Sequence, residues 1–315
     1  MKDCFGRDIY YLRMSVTDLC NLRCIYCMPE DGVEKHSHGD ILSVGEITEI
    51  VRAASVCGIT KVRVTGGEPL VRRGIVDICR RIADTPGIRE LCLTTNGILL
   101  PKYAKELKAV GVNRLNISLD SIDPETYKEI TRTGDLESAL AGIQSALDTG
   151  FDAIKINVVL IGGMNDGEIL SLLNLTLRHN VNVRFIETMP IGECAGWAES
   201  RFLSAAHVLE LAPDMQDVGV DGVSKLYRLP SGIGTVGLIS PISSHFCPTC
   251  NRIRVTADGK LKPCLHSAQE IDLRGINGAD LENTIRSAIL GKPQKHRLDT
   301  GEISASVRNM HAIGG

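Results

Sequence analysis

No stretch of the chain reaches the roughly 20 apolar residues that a membrane-spanning helix needs. Its opening segment, MKDCFGRDIYYLRMSVTD, scatters charges where a secretory signal would carry an apolar run. Net charge is nearly lacking too: 35 Lys and Arg stand against 38 Asp and Glu, leaving −3. A surface so balanced offers no broad attraction for nucleic acid or for a membrane, so any anion site must be a local cluster of Lys and Arg. Repeats and low-complexity segments are also missing. These absences predict a cytoplasmic protein with neither a membrane nor a nucleic-acid partner. The 315 residues, 43% apolar and 23% charged, are ordinary for a soluble globular enzyme and leave room for one barrel-sized domain plus a smaller one.

What is present in excess is cysteine. Eleven thiols in a reducing compartment do not point to structural disulfides. Six fall in two tight groups, Cys20, Cys24 and Cys27, then Cys247, Cys250 and Cys264. Of the isolated five (Cys4, Cys57, Cys79, Cys92 and Cys194), Cys57, Cys79 and Cys92 lie in apolar patterns and read as small core residues.

Between residues 10 and 190 short β-rich runs alternate with amphipathic helical patterns. Strands are expected at 11–17, 61–67, 90–96, 114–120, 153–161 and 182–188, with helices at 44–58, 101–111, 137–150 and 166–180. Gly58, Gly111 and Gly150 sit where helices commonly end. Repeated β-α units imply parallel strands with right-handed crossovers. The expected fold is α/β, an incomplete (β/α)6 TIM-like barrel, followed by a small C-terminal module. The boundary is drawn at 1–235 and 236–315. Residues 190–235 read as a short helical pattern (204–212) and a Gly-rich connection. The module reads as a strand, a Cys-bearing loop, a hairpin turning at Asp258-Gly259 and a helix at 280–290.

Each cysteine group holds three thiols and no fourth. A structural zinc and an iron–sulfur cube both usually take four protein ligands. A cube held by three leaves one iron open. On spacing alone, a zinc site completed by His36 or His38 in the first group, or by His245 or His266 in the second, stays open. Arg252 and Arg254 alternate on one strand face beside the second group, and guanidinium forks there suggest an anionic ligand. Arg13, Arg63 and Lys155 each precede the C-terminal end of a strand by a few residues. A lumen-facing charge is costly unless paired, and a strand charge that faces solvent or meets a structural carboxylate stays open for each of them.

C-x3-C-x2-C with Tyr26 before the last cysteine, followed by TGGEP at residues 65–69, resembles the radical S-adenosylmethionine superfamily. The ordered series LRMSVTDLCNLRCIYCMP, VRVTGGEPLVRR, LTTNG, LNISLDS, KINVV, RFIETMP, FCPTCNRIRVTADGKLKPCL and a terminal IGG resembles one family within it, molybdenum-cofactor biosynthesis protein A, the GTP 3′,8-cyclases. Leu19 departs from the Arg that relatives often carry, outside the ligand positions. The resemblance implies two [4Fe–4S] clusters, held by Cys20, Cys24 and Cys27 and by Cys247, Cys250 and Cys264. It implies S-adenosylmethionine contacts from Tyr26, Gly66, Gly67, Glu68, Ser118 and Met189. GTP contacts are implied from Arg13, Arg63, Thr94, Lys155, Arg252, Ile253 and Arg254, with Arg252 and Arg254 also placed among the catalytic residues beside the first cysteine triad. In such enzymes a 5′-deoxyadenosyl radical takes hydrogen from C3′ of GTP, and C3′ then joins C8, giving 3′,8-cyclo-7,8-dihydro-GTP. An electron donor such as flavodoxin or ferredoxin, a downstream cyclic pyranopterin monophosphate synthase and a possible homodimer are the implied partners.

Two other readings are weighed. A peptide-modifying radical enzyme with an auxiliary cluster commonly adds a peptide-recognition domain and a longer cysteine-rich tail. A non-catalytic metal-binding regulatory protein has no use for GGEP or for lumen cations. The ending NMHAIGG reads by itself as a frayed tail. The resemblance implies instead that Gly314 and Gly315 thread into the active site, with the terminal carboxylate near a lumen arginine.

Overall fold

Apolar–polar alternation at period two builds the central strands of the computed structural model, which describes residues 1–33, 39–296, 298 and 304–314. His36, His38 and Gly315 lie outside the described residues. Strands β1 (Tyr11–Ser15), β2 (Lys61–Thr65), β3 (Glu90–Thr95), β4 (Arg114–Ser118), β5 (Ala153–Leu160) and β6 (Asn182–Glu187) run parallel, each paired with the next. This is the six-stranded partial barrel expected from the β-α alternation.

Later strands extend both of its edges. An antiparallel hairpin, β7 (Gln216–Asp221) and β8 (Ser224–Arg228), leads to β9 (Thr235–Ile239), which lies parallel to β6. At the opposite edge β10 (Arg252–Val255) lies parallel to β1. It turns at Asp258-Gly259 into β11 (Lys260–Lys262) and on to β12 (Ile271–Asp272). Among the described residues the strands form one sheet, ordered β12-β11-β10-β1-β2-β3-β4-β5-β6-β9-β8-β7. The strand after residue 235 and the strand after Cys250 are thus staves beside the six, joined to them by regular parallel ladders.

The core lies on one face of this sheet. Leu12, Met14, Val62, Val64, Leu115 and Ile117 point outward under the helices α1 (Val44–Val56), α2 (Ile75–Ala83), α3 (Leu100–Ala109), α4 (Pro124–Thr131) and α5 (Leu136–Thr149). Local chemistry sets the helix ends. Ser43 and Glu46 form a reciprocal capping box at the start of α1, and α5 begins at Asp135, whose carboxylate accepts from the Ser138 amide at 2.9 Å. It ends at Gly150, whose φ of +71° needs no Cβ.

The helix expected over 166–180 is broken. A 3-10 turn at 166–168 precedes α6 (Ile169–Leu173) and α7 (Leu175–Arg178). Thr176 donates its hydroxyl to the Leu173 carbonyl at 2.8 Å, competing with the helical ladder. The carboxylate of Glu168 is drawn away to accept from the amides of Ile122 and Asp123. In the 190–235 region α8 (His207–Leu211) matches the short helical pattern, but the Gly-rich connection contains the β7–β8 hairpin. Further on, α9 (Gly278–Leu290) packs against α1, and α10 (Met310–Ile313) ends the described chain at Gly314.

Candidate active site

The alternation that sends Leu12 and Val62 to the core sends Tyr11, Arg13, Lys61 and Arg63 to the other face, into a cavity of 410 Å3. Strand register aligns Arg254, Arg13 and Arg63 in one row across β10, β1 and β2. Lys155 on β5 and Arg184 on β6 face the same space. Neighbouring strands lie about 4.8 Å apart, so adjacent like charges at that spacing repel by on the order of 3 kcal/mol at an effective dielectric of about 20. Such a row is stable where anions meet it.

Part of the compensation is internal. Arg63 donates to the Tyr11 hydroxyl and, at 3.3 Å, to the Leu93 carbonyl, with Thr94 at its edge. Lys155 and Arg184 both donate to Oδ2 of Asp221, the latter at 2.6 Å. Burial and the neighbouring Arg184 hold the Lys155 ammonium down, to about 8, although Asp221 opposes them. Arg254 is likewise lowered, to about 10, by burial and by Arg252.

Cys20, Cys24 and Cys27 lie in the loop leaving β1 and line one side of the cavity. The Cys27 amide donates to the Cys24 carbonyl at 2.9 Å. Arg23 donates to the carbonyl of Cys20 at 2.7 Å, and Arg132 donates to the carbonyls of Arg23 and Met28 at 3.2 and 3.1 Å. Arg132 does so from a φ of +61°, strain that the surrounding loop must over-determine. Burial pushes the Cys20 thiol up to about 11 and those of Cys24 and Cys27 higher, so thiolates form here chiefly by binding metal. Among the described residues no three His, Cys, Asp or Glu side chains are placed to hold a single metal ion. A cube makes no such demand, because each of three thiolates binds a different iron. The donor set of three thiols fits a [4Fe–4S] cluster with an open corner.

The GGEP segment packs directly on that loop. The Gly67 amide donates to the Thr17 carbonyl and the Glu68 amide to the Leu19 carbonyl, both at 2.8 Å. A Cβ on Gly66 would fall 2.5 Å from the Thr17 carbonyl oxygen, and one on Gly67 2.4 Å from that of Leu19. Glycine is required because backbone approaches backbone. Gly67→Ala is expected to push the cysteine loop outward and destabilise the fold by about 1–3 kcal/mol. Thermal unfolding together with iron retained after desalting measures both effects.

Glu68 is buried and accepts from the Leu70 amide, the Thr95 hydroxyl and the Asn96 amide at 2.7–2.9 Å. Burial still outweighs these bonds and lifts its carboxyl to about 7. Two carboxylate oxygens offer about four acceptor positions, so one remains for an ammonium group. Tyr26 donates its hydroxyl to Asp120 at 2.7 Å, and Ser118 and Met189 border the same side.

Cys247, Cys250 and Cys264 line the cavity as well, so the fold brings both triads to one chamber. Burial would raise the Cys250 thiol, but Lys292 and Arg252 overcome it and the group falls to about 7. His266 meets the Ser304 hydroxyl at 3.2 Å and packs edge-on against His296, while the Nδ1 of His245 meets the Pro241 carbonyl oxygen at 3.1 Å.

The tail enters the chamber too. Gly314 is buried, and its carbonyl accepts from Arg254 at 2.7 Å. A Cβ there would lie 2.6 Å from the Thr65 hydroxyl. Arg308 seats this segment with two donor bonds to Asp258 and two to Glu270, at 2.7–3.0 Å.

Every expected cluster, cofactor and GTP residue borders the cavity except Ile253, and of the tail Met310 and His311 border it while Gly314 lies behind Arg254. The side chain of Ile253 belongs to the core, as alternation between Arg252 and Arg254 demands, leaving only its backbone to serve the site. Four residues escaped the sequence reading. Arg184 stood in an expected strand at the lumen-facing parity of Asn182 and Ile186. Asp221 was signalled by the Asp221-Gly222 turn dipeptide. Arg308 carried no local signal. Nor did Arg7, a buried guanidinium paired with Asp3 at 2.6 Å, which donates to the carbonyls of Cys247 at 3.0 Å and Pro293 at 2.8 Å.

Comparison with known proteins gives the family. Residues 14–176 match the model of the Radical SAM superfamily, and residues 181–298 that of Molybdenum Cofactor Synthesis C. A GTP 3′,8-cyclase of Alkaliphilus metalliredigens is 53% identical, and one of Alkaliphilus oremlandii 50%, each over the whole of both chains. Among solved structures, Streptococcus suis SuiB bound to precursor peptide SuiA superposes with a TM-score of 0.66 at 14% identity, covering 98% of this chain and 76% of that one. That likeness concerns the fold alone. The full-length identities and the matching models place the chain in the GTP 3′,8-cyclase family of the radical S-adenosylmethionine superfamily.

Proposed function

We propose that the chain is a GTP 3′,8-cyclase, joining ribose C3′ to guanine C8 to give 3′,8-cyclo-7,8-dihydro-GTP for molybdenum-cofactor biosynthesis. The observation that carries this reading is the cationic row Arg254–Arg13–Arg63, with Lys155, in the same chamber as two cysteine triads. Full-length identity to curated cyclases supports it.

When bound, a [4Fe–4S] cluster and S-adenosylmethionine supply the one-electron chemistry that removes hydrogen from an unactivated C–H bond. Cys20, Cys24 and Cys27 hold that cluster. Glu68 receives the ammonium group of the methionine moiety, while Gly66 and Gly67 carry backbone past it without side-chain interference. Tyr26, Ser118 and Met189 border the rest. Cys247, Cys250 and Cys264 would hold a second [4Fe–4S] cluster, which would supply a metal site for the guanine base. Arg13, Arg63, Lys155 and Arg254 meet the triphosphate by charge-assisted hydrogen bonds, each on the order of 1.5–3 kcal/mol. Thr94, Arg252 and the backbone of Ile253 complete the substrate contacts. The barrel fixes C3′ near the reacting carbon and excludes water, an orientation effect that is a large part of catalysis in any such chamber.

On this reading residues 1–235 form the radical barrel, and 236–315 the auxiliary cluster and GTP module, although its strand β10 docks on the barrel's first stave. A flavodoxin or ferredoxin supplies electrons in the cytoplasm, and a cyclic pyranopterin monophosphate synthase consumes the product. A homodimer is compatible with it.

GTP affinity gives a test that needs no turnover. Lys155 titrates near 8 in the free protein. A bound triphosphate favours its charged form and raises that value. Binding therefore takes up a proton above about pH 8, and affinity falls with rising pH by at most about tenfold per unit. Calorimetry between pH 7 and 9 should show this slope. Lys155→Arg, which stays charged, should flatten it. A slope equal in both proteins would remove Lys155 from the triphosphate site.

A further inference from the structure

We propose that Asp221 acts as a built-in phosphate surrogate, occupying the cation pair Lys155–Arg184 until a triphosphate displaces it, so that this residue sets how tightly the chamber holds phosphate. The inference rests on the GTP reading above and adds a residue to it.

Three observations carry the inference. First, one oxygen, Oδ2 of Asp221, serves both cations, which is how a terminal phosphate oxygen would bridge them. Second, burial is lopsided. The side chains of Lys155 and Arg184 are 6% and 9% exposed, but that of Asp221 is 41% exposed. The cations belong to the barrel wall, whereas the carboxylate reaches in from the rim. Third, that rim is lightly attached. Asp221 ends β7, a sheet edge whose residues are almost all exposed, and apart from the bonds of Asp221 itself the hairpin meets the barrel through the β8–β9 ladder and the packing of Tyr227 on the core. Its ladder shifts register between Asp217 and Gly219, and Gly219 and Gly222 take φ of +111° and +64°. A two-residue turn, Gly222-Val223, carries the tip, and both residues border the cavity beside Asp221.

The chemistry follows from charge. A triphosphate and the Asp221 carboxylate cannot share two cations without like-charge repulsion, so one leaves as the other arrives. The carboxylate meanwhile spares two buried cations an unpaired state. Release moves an exposed hairpin tip and disturbs little of the core. Selectivity follows too: a ligand with several phosphate oxygens replaces both bonds at once, and a nucleoside without phosphate replaces neither.

The test uses the anaerobically reconstituted full chain and calorimetric titration with GTP, inorganic tripolyphosphate and guanosine. Asp221→Asn, and separately Asp221→Ser, should tighten both GTP and tripolyphosphate by about tenfold or more, as removal of an opposing charge does. Guanosine binding should not change. Tripolyphosphate affinity that is unchanged or weaker in both variants overturns the proposal, showing that Asp221 positions the cations for phosphate. Wild-type protein that binds tripolyphosphate but not GTP would instead sink the substrate reading, and the tripolyphosphate comparison would still decide the role of Asp221.

Discussion

Alanine at Cys20, Cys24 or Cys27 is expected to bring cleavage of S-adenosylmethionine to background, a loss of at least about a hundredfold, which even outer-shell partners of metal ligands can produce. On the proposed reading each thiol would supply one of three metal bonds, and that loop has no fourth cysteine to substitute. Alanine at Cys247, Cys250 or Cys264 should divide the activities differently. There 5′-deoxyadenosine still forms from S-adenosylmethionine and reductant, while conversion of GTP is lost. The contrast separates a radical-forming triad from a substrate-holding one within a single chamber. Chromatographic measurement of 5′-deoxyadenosine and of GTP in the same samples reads both. Wild-type 5′-deoxyadenosine rates in a Cys24→Ala protein would contradict the roles given to the two triads.

The first triad was legible because its chemistry is local: three thiols within eight residues, then GGEP at the end of the next strand. The staves were legible as well, since each alternates apolar and polar residues over a partly buried length. Register between distant strands was not. Only the pairing of β1 with both β10 and β2 reveals that Arg254, Arg13 and Arg63 form a row, and those residues span most of the chain. The β7–β8 hairpin was missed because its side chains are mostly exposed, so QDVGVD carries no burial pattern to read. Its Asp221-Gly222 turn was the available signal. Arg7 and Arg308 act through backbone carbonyls and carboxylates far away in sequence, which no local pattern encodes.

Removal of Gly314 and Gly315, or a tag appended after them, should suppress GTP conversion by about a hundredfold, the scale of a small misplacement near reacting groups. Cleavage of S-adenosylmethionine should persist. Gly314 already packs against the chamber wall: its carbonyl holds Arg254, and its φ of +83° and its contact with Thr65 leave no room for a Cβ. Losing it frees Arg254 at the end of the cationic row. Arg308→Gln should reproduce a milder form of the defect, because the Asp258 and Glu270 bonds seat the same segment. Arg308→Lys, keeping the charge, should restore part of the activity. Normal GTP conversion by the truncated protein would return the tail to a passive role.

The most direct measurement of the central claim is anaerobic incubation of the reconstituted protein with S-adenosylmethionine, dithionite and GTP, followed by separation and mass analysis of the nucleotides. Cyclisation moves one hydrogen out of C3′ and returns one on reduction. The account therefore predicts a new nucleotide of unchanged mass and altered mobility, formed in step with 5′-deoxyadenosine. Formation of 5′-deoxyadenosine with GTP recovered intact would contradict it.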